Sequence, residues 1–227
     1  MNTAERLKAL KAEIDDPGIT LIAVSKTKTE AEIMEAYEAG QRDFGENQVQ
    51  ELLRKQENLP KDIRWHQIGT LQTNKVKYLA SFITLIQSVD SLKLLEEINK
   101  QAKKHDRIID CLLQVHISDE DTKFGLDHEG LIELLRSEDL TGLQHIRIVG
   151  LMGIASNTPN ERVVKEEFYE LKMLFEGIKV SFFRKDPAFS ILSMGMSSDY
   201  KLAIEQGSNM VRIGSRVFGE RVYNNPK

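Results

Sequence analysis

The sequence predicts a (β/α)8 TIM barrel preceded by an extra N-terminal helix, and three observations carry that expectation. Short β-branched apolar runs alternate with segments of helical period along the whole chain. The count of such runs is eight, each followed by a helix or the tail. The alternation is even and continues to the last residues, which suits a closed parallel barrel of about 250 residues better than an open doubly wound sheet. No linker or low-complexity segment interrupts the 227 residues, so 1–227 reads as a single domain.

The first helix carries Leu7, Leu10 and Ile14 on one face, and Asp16-Pro17-Gly18 stops it. Thr20 to Ser25 then reads as a buried strand. Thr29 and Glu32 form a capping box for a helix bearing Ile33, Met34 and Tyr37, which ends at Gly40. The pattern repeats with a strand over Arg42 to Phe44 and a helix from about Asn47 to Lys55. A strand over Ile63 to Ile68 precedes a helix from about Thr73 to Ala80. Phe82 to Gln87 is the fourth strand, with a helix opened by Ser91. Ile108 to Ile117 is expected to be the longest strand, followed by a helix around Glu129 to Arg136. Ile146 to Met152 precedes a helix in which Val164, Phe168, Leu171 and Phe175 share a face. Phe189 to Ser193 and a helix from about Asp199 to Gln206 follow, and Met210 to Ile213 is the last strand.

Composition excludes several function classes. Cys111 is the only cysteine, so there is no disulfide framework, and a reducing, cytoplasmic setting is expected. No apolar run reaches the length of a membrane span, and Met1 to Lys11 lacks the apolar core of a signal peptide. A net charge of -4 argues against a nucleic-acid partner. The five histidines and one cysteine show no metal-ligand spacing, and no phosphate-loop, dinucleotide or nucleophile-elbow motif occurs. His66 and Cys111 lie inside strands and read as packed residues.

Barrel chemistry gathers at the C-terminal ends of strands. Lys26 follows an unbroken apolar strand and sits at its mouth. Desolvation there, with Lys28 and Arg212 nearby, favours a free amine able to form a Schiff base; a solvated lysine capping a strand is an equal reading of position alone. Ser197, Gly195, Gly214 and Ser215 fall in the loops after strands seven and eight, where barrels often bind phosphate through backbone N–H groups; ordinary turn and capping chemistry is the plainer alternative. Arg212 breaks the last strand, and alternation turns it opposite to Val211 and Ile213, into the barrel mouth. A buried charge there needs a partner.

Seven segments occur together in one order: Ala23-Val-Ser-Lys26-Thr-Lys28, Phe44-Gly-Glu-Asn47, Trp65-His-Gln-Ile-Gly69, Gln72-Thr-Asn-Lys75, Gly150-Leu-Met152, Ser193-Met-Gly-Met-Ser197-x-Asp199 and Val211-Arg-Ile-Gly214-Ser215-x-x-Phe-Gly219. In this the chain resembles the YggS/PROSC-type pyridoxal phosphate homeostasis family from about residue 20 to 220. The resemblance implies a barrel like the alanine racemase N-terminal domain, fold type III among pyridoxal 5'-phosphate (PLP) proteins. It implies that Lys26 holds the cofactor as a Schiff base and that Arg212 faces the pyridine nitrogen. Gly214, Ser215 and Ser197 would hold the phosphate with support from Ser193, Asn47 would lie beside the ring, and Lys123 would be a second lysine able to contact PLP. Thr70, His116 and Gly153 depart from the usual residues of the family and put the solvent-side lining of the pocket in question.

An arginine cannot take the proton of the ring nitrogen, so it favours a weak electron sink. Racemisation also needs a second acid/base group, which alanine racemases bring from a partner chain arranged by an extra β domain. The chain ends about a dozen residues after the last strand, without room for that domain. The expectation is therefore a cytoplasmic, monomeric PLP carrier with little or no turnover, with client PLP-dependent enzymes as possible partners. A low-activity amino-acid racemase is the alternative, and a cofactor-free Schiff-base aldolase is the alternative that the fold alone allows.

Overall fold

Strand pairing closes on itself. In a computed structural model of the chain, which describes residues 1–118 and 125–220, eight parallel strands form a barrel in the order β1 to β8, with β8 returning to β1. The strands are β1 (Thr20–Val24), β2 (Asp43–Glu46), β3 (Arg64–Gln67), β4 (Leu85–Val89), β5 (Ile109–His116), β6 (Ile146–Ile154), β7 (Ile191–Ser193) and β8 (Met210–Ile213). Helices alternate with them: α1 (Thr3–Ile14) leads, and α2 (Glu30–Glu38), α3 (Val49–Asn58), α4 (Val76–Leu79) and α5 (Leu92–Lys104) follow the first four strands. Beyond β5 lie α6 (His128–Arg136) and α7 (Glu138–Thr141); beyond β6, α8 (Glu161–Phe182); beyond β7, α9 (Tyr200–Glu205); and beyond β8, α10 (Ser215–Phe218).

Local chemistry explains the boundaries. Asn2 with Glu5 and Thr29 with Glu32 make reciprocal capping boxes on α1 and α2. Gly40 follows α2 with φ +89°, the left-handed position a glycine fills without strain. Ser137 closes α6 at Arg136, where the sequence reading ends that helix, and caps the short α7 that follows. The helix expected over Thr73 to Ala80 begins as a 3₁₀ turn at Thr73–Lys75. The longest strand is β6, with nine residues, rather than β5, with eight. Gly150 explains that length: its φ of +156° accompanies a register shift against β5, and a Cβ there would meet the Ile191 carbonyl at 1.7 Å. Ladder β7 is shorter than the expected Phe189 to Ser193, because Phe189 N–H turns back to Asp186 O while its ring stacks on Phe175 and Phe183.

Alternation along each strand separates two apolar layers. Outward residues such as Ala23, Phe44, Trp65, Ile86, Cys111 and Val211 pack under the helices. Inward residues Ile22, Leu85, Leu112, Val149, Met152 and Met210 fill the barrel. Cys111 is fully buried in the outer layer, and burial pushes its thiol pKa far up. The barrel interior also holds polar side chains, and these lead upward to the site.

Candidate functional site

A cavity of about 630 Å3 opens at the C-terminal ends of β1 and β8. Alternation brings Lys26 to it: Ile22 and Val24 point inward along β1, and Lys26 continues that face at the rim, half-buried. Arg212 reaches the cavity from β8, between Val211 and Ile213, which face the helices. The guanidinium donates to Ser193 Oγ at 2.7 Å and to Gly153 O at 2.9 Å. Burial lowers its pKa to about 10, with Asp199 pulling the other way, so it remains a cation at neutral pH.

Ser197, Gly214 and Ser215 form the wall beside Arg212. Gly214 N–H donates to Ser197 Oγ at 3.2 Å, which ties the loop after β7 to the loop after β8. Gly195 has φ +97°, and a Cβ on it would lie 2.6 Å from Ala203 Cβ, so only glycine lets this loop settle on α9. Asn47 also lines the cavity. Its carbonyl accepts Gln67 Nε2 at 2.9 Å, and it lies so near Gly69 that a Cβ there would sit 2.6 Å from it. This anchoring holds Asn47 in the loop and lets α3 begin at Val49 rather than near Asn47.

Six of the eight residues expected from the sequence, Lys26, Asn47, Ser197, Arg212, Gly214 and Ser215, line this one cavity. Ser193 does not line it. It lies fully buried one layer below, between Arg212 and Gln87. Lys123 lies outside the described residues. Thr70, His116 and Gly153 are absent from the lining; Gly153 contributes its carbonyl to Arg212. Lys28 lines the cavity too, with its amine on Glu32 Oε1 at 3.1 Å and Phe218 O at 3.4 Å. Val24, Ile68, Ile154 and Met196 give it apolar surface.

The support behind Lys26 comes from residues that the sequence does not single out. Lys55 of α3 is fully buried and donates to Ser25 O (2.7 Å), Glu46 Oε1 (2.7 Å) and Glu51 Oε1 (2.6 Å). Ser25 Oγ donates to Glu46 Oε1 at 2.5 Å, and Thr27 N–H donates to Glu51 Oε1 at 2.7 Å. The backbone is thus held on both sides of Lys26. Thr27 has φ +65°, a left-handed conformation that costs a β-branched residue about 1–3 kcal/mol. Burial raises the Glu46 pKa, against the opposing pull of Lys55. One signal was available: Lys55 shares its helical face with Val49 and Leu52, the buried side of α3.

The donor set suits a phosphorylated pyridine aldehyde. It offers an amine at one wall, hydroxyls and a backbone N–H at the next, a guanidinium below, and apolar surface for a ring.

A barrel with this lysine, arginine and serine–glycine wall defines a class, and the chain belongs to the alanine racemase N-terminal domain family, whose model matches residues 2–222. Within it, the similarity is to pyridoxal phosphate homeostasis proteins. That of Pasteurella multocida is 37% identical over 219 residues, 94% of this chain and 91% of the relative. That of Aquifex aeolicus is 39% identical over 233 residues, 98% and 100% of the two chains. The structure of PipY from Synechococcus elongatus with PLP bound superposes with a TM-score of 0.86 at 36% identity, covering 96% of this chain and all of that one. Alanine racemase of Clostridium difficile shares the fold, with a TM-score of 0.77 at 16% identity, and 58% of its length is covered. No helix among the described residues is long and apolar enough to cross a membrane.

Proposed function

We propose that this chain binds PLP as a Schiff base on Lys26 and serves in the homeostasis of that cofactor, with little or no turnover. The observation that carries the reading is the meeting of Lys26, Arg212 and the Ser197–Gly214–Ser215 wall in one cavity. The names of the homeostasis relatives and the PLP-bound PipY structure support it. When bound, the cofactor supplies an electrophilic aldehyde and an electron-accepting ring.

The chain's own residues do the rest. Lys26 presents the amine, from a backbone held by Ser25 and Thr27. Ser197, Ser215 and the neighbouring backbone hold the phosphate, and Asn47 borders the ring. Lys123 remains a second lysine for contact with the cofactor. Arg212 lies on the pyridine-nitrogen side; it has donors only and stays charged, so it disfavours a proton there and weakens the electron sink. That, together with the second acid/base group that racemisation needs, is the ground for a carrier rather than a racemase. The proposal extends to a monomer in the cytoplasm, built as a single domain and passing PLP to client enzymes.

Borohydride reduction of the PLP-loaded protein, followed by peptide mapping, tests this directly. The label is expected on Lys26 and lost in Lys26→Ala. A protein with no visible-wavelength band after loading, or one whose band survives Lys26→Ala without transfer of the label to Lys123, overturns the assignment. Racemisation of any amino acid at useful rates overturns the carrier reading.

A further inference from the structure

A hydrogen-bonded chain runs through the barrel from the cavity to the opposite rim. Arg212 Nη1 donates to Ser193 Oγ (2.7 Å), and Ser193 Oγ donates to Gln87 Oε1 (2.7 Å). Gln87 Nε2 meets His66 Nδ1 at 3.2 Å, and His66 Nε2 meets Asp43 Oδ1 at 3.2 Å. Arg64 closes the chain on Asp43 through two hydrogen bonds. Arg212, Ser193, Gln87 and His66 are all buried, among inward residues such as Leu85 and Met210.

The ends dictate the direction of every link. A guanidinium only donates and a carboxylate only accepts. Ser193 must therefore accept from Arg212 and spend its single hydrogen on Gln87 Oε1. That leaves the Gln87 NH2 facing His66, so Nδ1 must be the acceptor and the neutral ring must carry its proton on Nε2, toward Asp43. The remaining Gln87 hydrogen points at Met210 Sδ, 3.3 Å away. With the amide turned round, two donors would face Ser193, and its hydroxyl would lose this acceptor. In an apolar interior such unpaired groups are costly, so the chain has one favoured polarity.

We propose that Gln87 and His66 are positioning residues for Arg212, holding through Ser193 the guanidinium that faces the cofactor. The inference rests on the reading of the cavity as a PLP site, and its test separates the two. In the ligand-free full-length protein, long-range 15N–1H spectra report the His66 tautomer, and exchange rates report how firmly the Arg212 guanidinium is held. A neutral His66 protonated at Nε2, and faster Arg212 exchange in Gln87→Leu, are expected; the Nδ1–H tautomer, or Arg212 exchange unchanged in that variant, overturns the relay. PLP titration then measures the consequence. Gln87→Leu should raise the Kd about tenfold, the size of one lost buried hydrogen bond, and should shift the visible band. In an Arg212→Lys background the same substitution should add little. An equal effect in both backgrounds overturns the positioning role, because Gln87 would then act by another route. If Gln87→Leu does not fold, the His66 tautomer of the parent still decides the polarity, and Gln87→Glu carries the titration. Absence of PLP binding by the parent, with the spectra as expected, overturns the cofactor reading and leaves the relay standing.

Discussion

Two basic side chains of the cavity, Lys26 and Arg212, are supported in opposite ways. Behind Lys26, outside the barrel wall, stands a charged cluster: one buried amine, Lys55, shared between the carboxylates Glu46 and Glu51. Behind Arg212, inside the barrel, stands a relay of Ser193, Gln87 and His66 that ends on Asp43 at the far rim. The difference follows from what each site must hold. Lys26 needs a fixed backbone, and the cluster grips its neighbours Ser25 and Thr27. Arg212 needs a fixed side-chain plane, and a string of directional hydrogen bonds, from Ser193 through Gln87, supplies that orientation.

The largest expected effect breaks the first support. Lys55→Met removes the amine that Glu46 and Glu51 share and leaves the fully buried Glu46 without that ion-pair partner. Removing one partner of a buried ion pair typically costs about 3–5 kcal/mol, and denaturant unfolding should show a loss of that order. Adding Glu46→Gln to Lys55→Met should recover a measurable part of it, because one stranded charge is then gone. Full stability in Lys55→Met would mean that the cluster contributes nothing beyond packing.

The same contrast marks what could be read from the chain. Arg212 was legible, since alternation in a four-residue strand turns it opposite to Val211 and Ile213. Lys26 was legible as the end of an apolar run, and the helix starts were legible where Thr29 and Ser91 sit as caps. Lys55 was not, because Glu51 and Lys55 four residues apart on a helix look like an ordinary solvated pair. The relay was invisible for another reason. His66, Gln87 and Ser193 lie on β3, β4 and β7, and only barrel closure and strand register set them within bonding distance. Register also separates Ser193 from Ser197: both stand near the end of β7, but one faces the interior below Arg212 and the other the cavity.

A second, smaller effect reads the far end of the relay. Burial works to raise the Asp43 pKa, yet hydrogen bonds from Arg64 and His66 prevail and hold it down at about 2, against 3.8 for the free residue. A depressed carboxylate stabilises the fold above its unfolded pKa, and that contribution is lost as pH falls through the folded value. The shift corresponds to about 2 kcal/mol at most. Stability measured from pH 7 down to pH 2 should fall along this limb in the parent, and Asp43→Asn should flatten it. An unchanged acid limb in the variant would show that Asp43 is not held as the end of the chain.

The smallest effect has the opposite sign and comes from the same strand. Glu46 closes β2 as Asp43 opens it, yet burial raises its pKa where Asp43 is lowered. A raised carboxylate contributes stability below its unfolded pKa and loses it as pH rises through the folded value. Where it is ionised, its charge opposes the fold, offset by Lys55 and Ser25. Glu46→Gln keeps an oxygen for those donors and removes the charge, so it should stay within about 1 kcal/mol of the parent at pH 7. Its standing relative to the parent should improve as pH rises above the ordinary carboxylate range, whereas that of Asp43→Asn worsens as pH rises from 2 to 5. Parallel curves for Glu46→Gln and the parent would mean that this carboxyl titrates alike in the folded and unfolded chains. The cluster behind Lys26 would then be a well-compensated ion group, and the contrast with the relay behind Arg212 would rest on geometry alone.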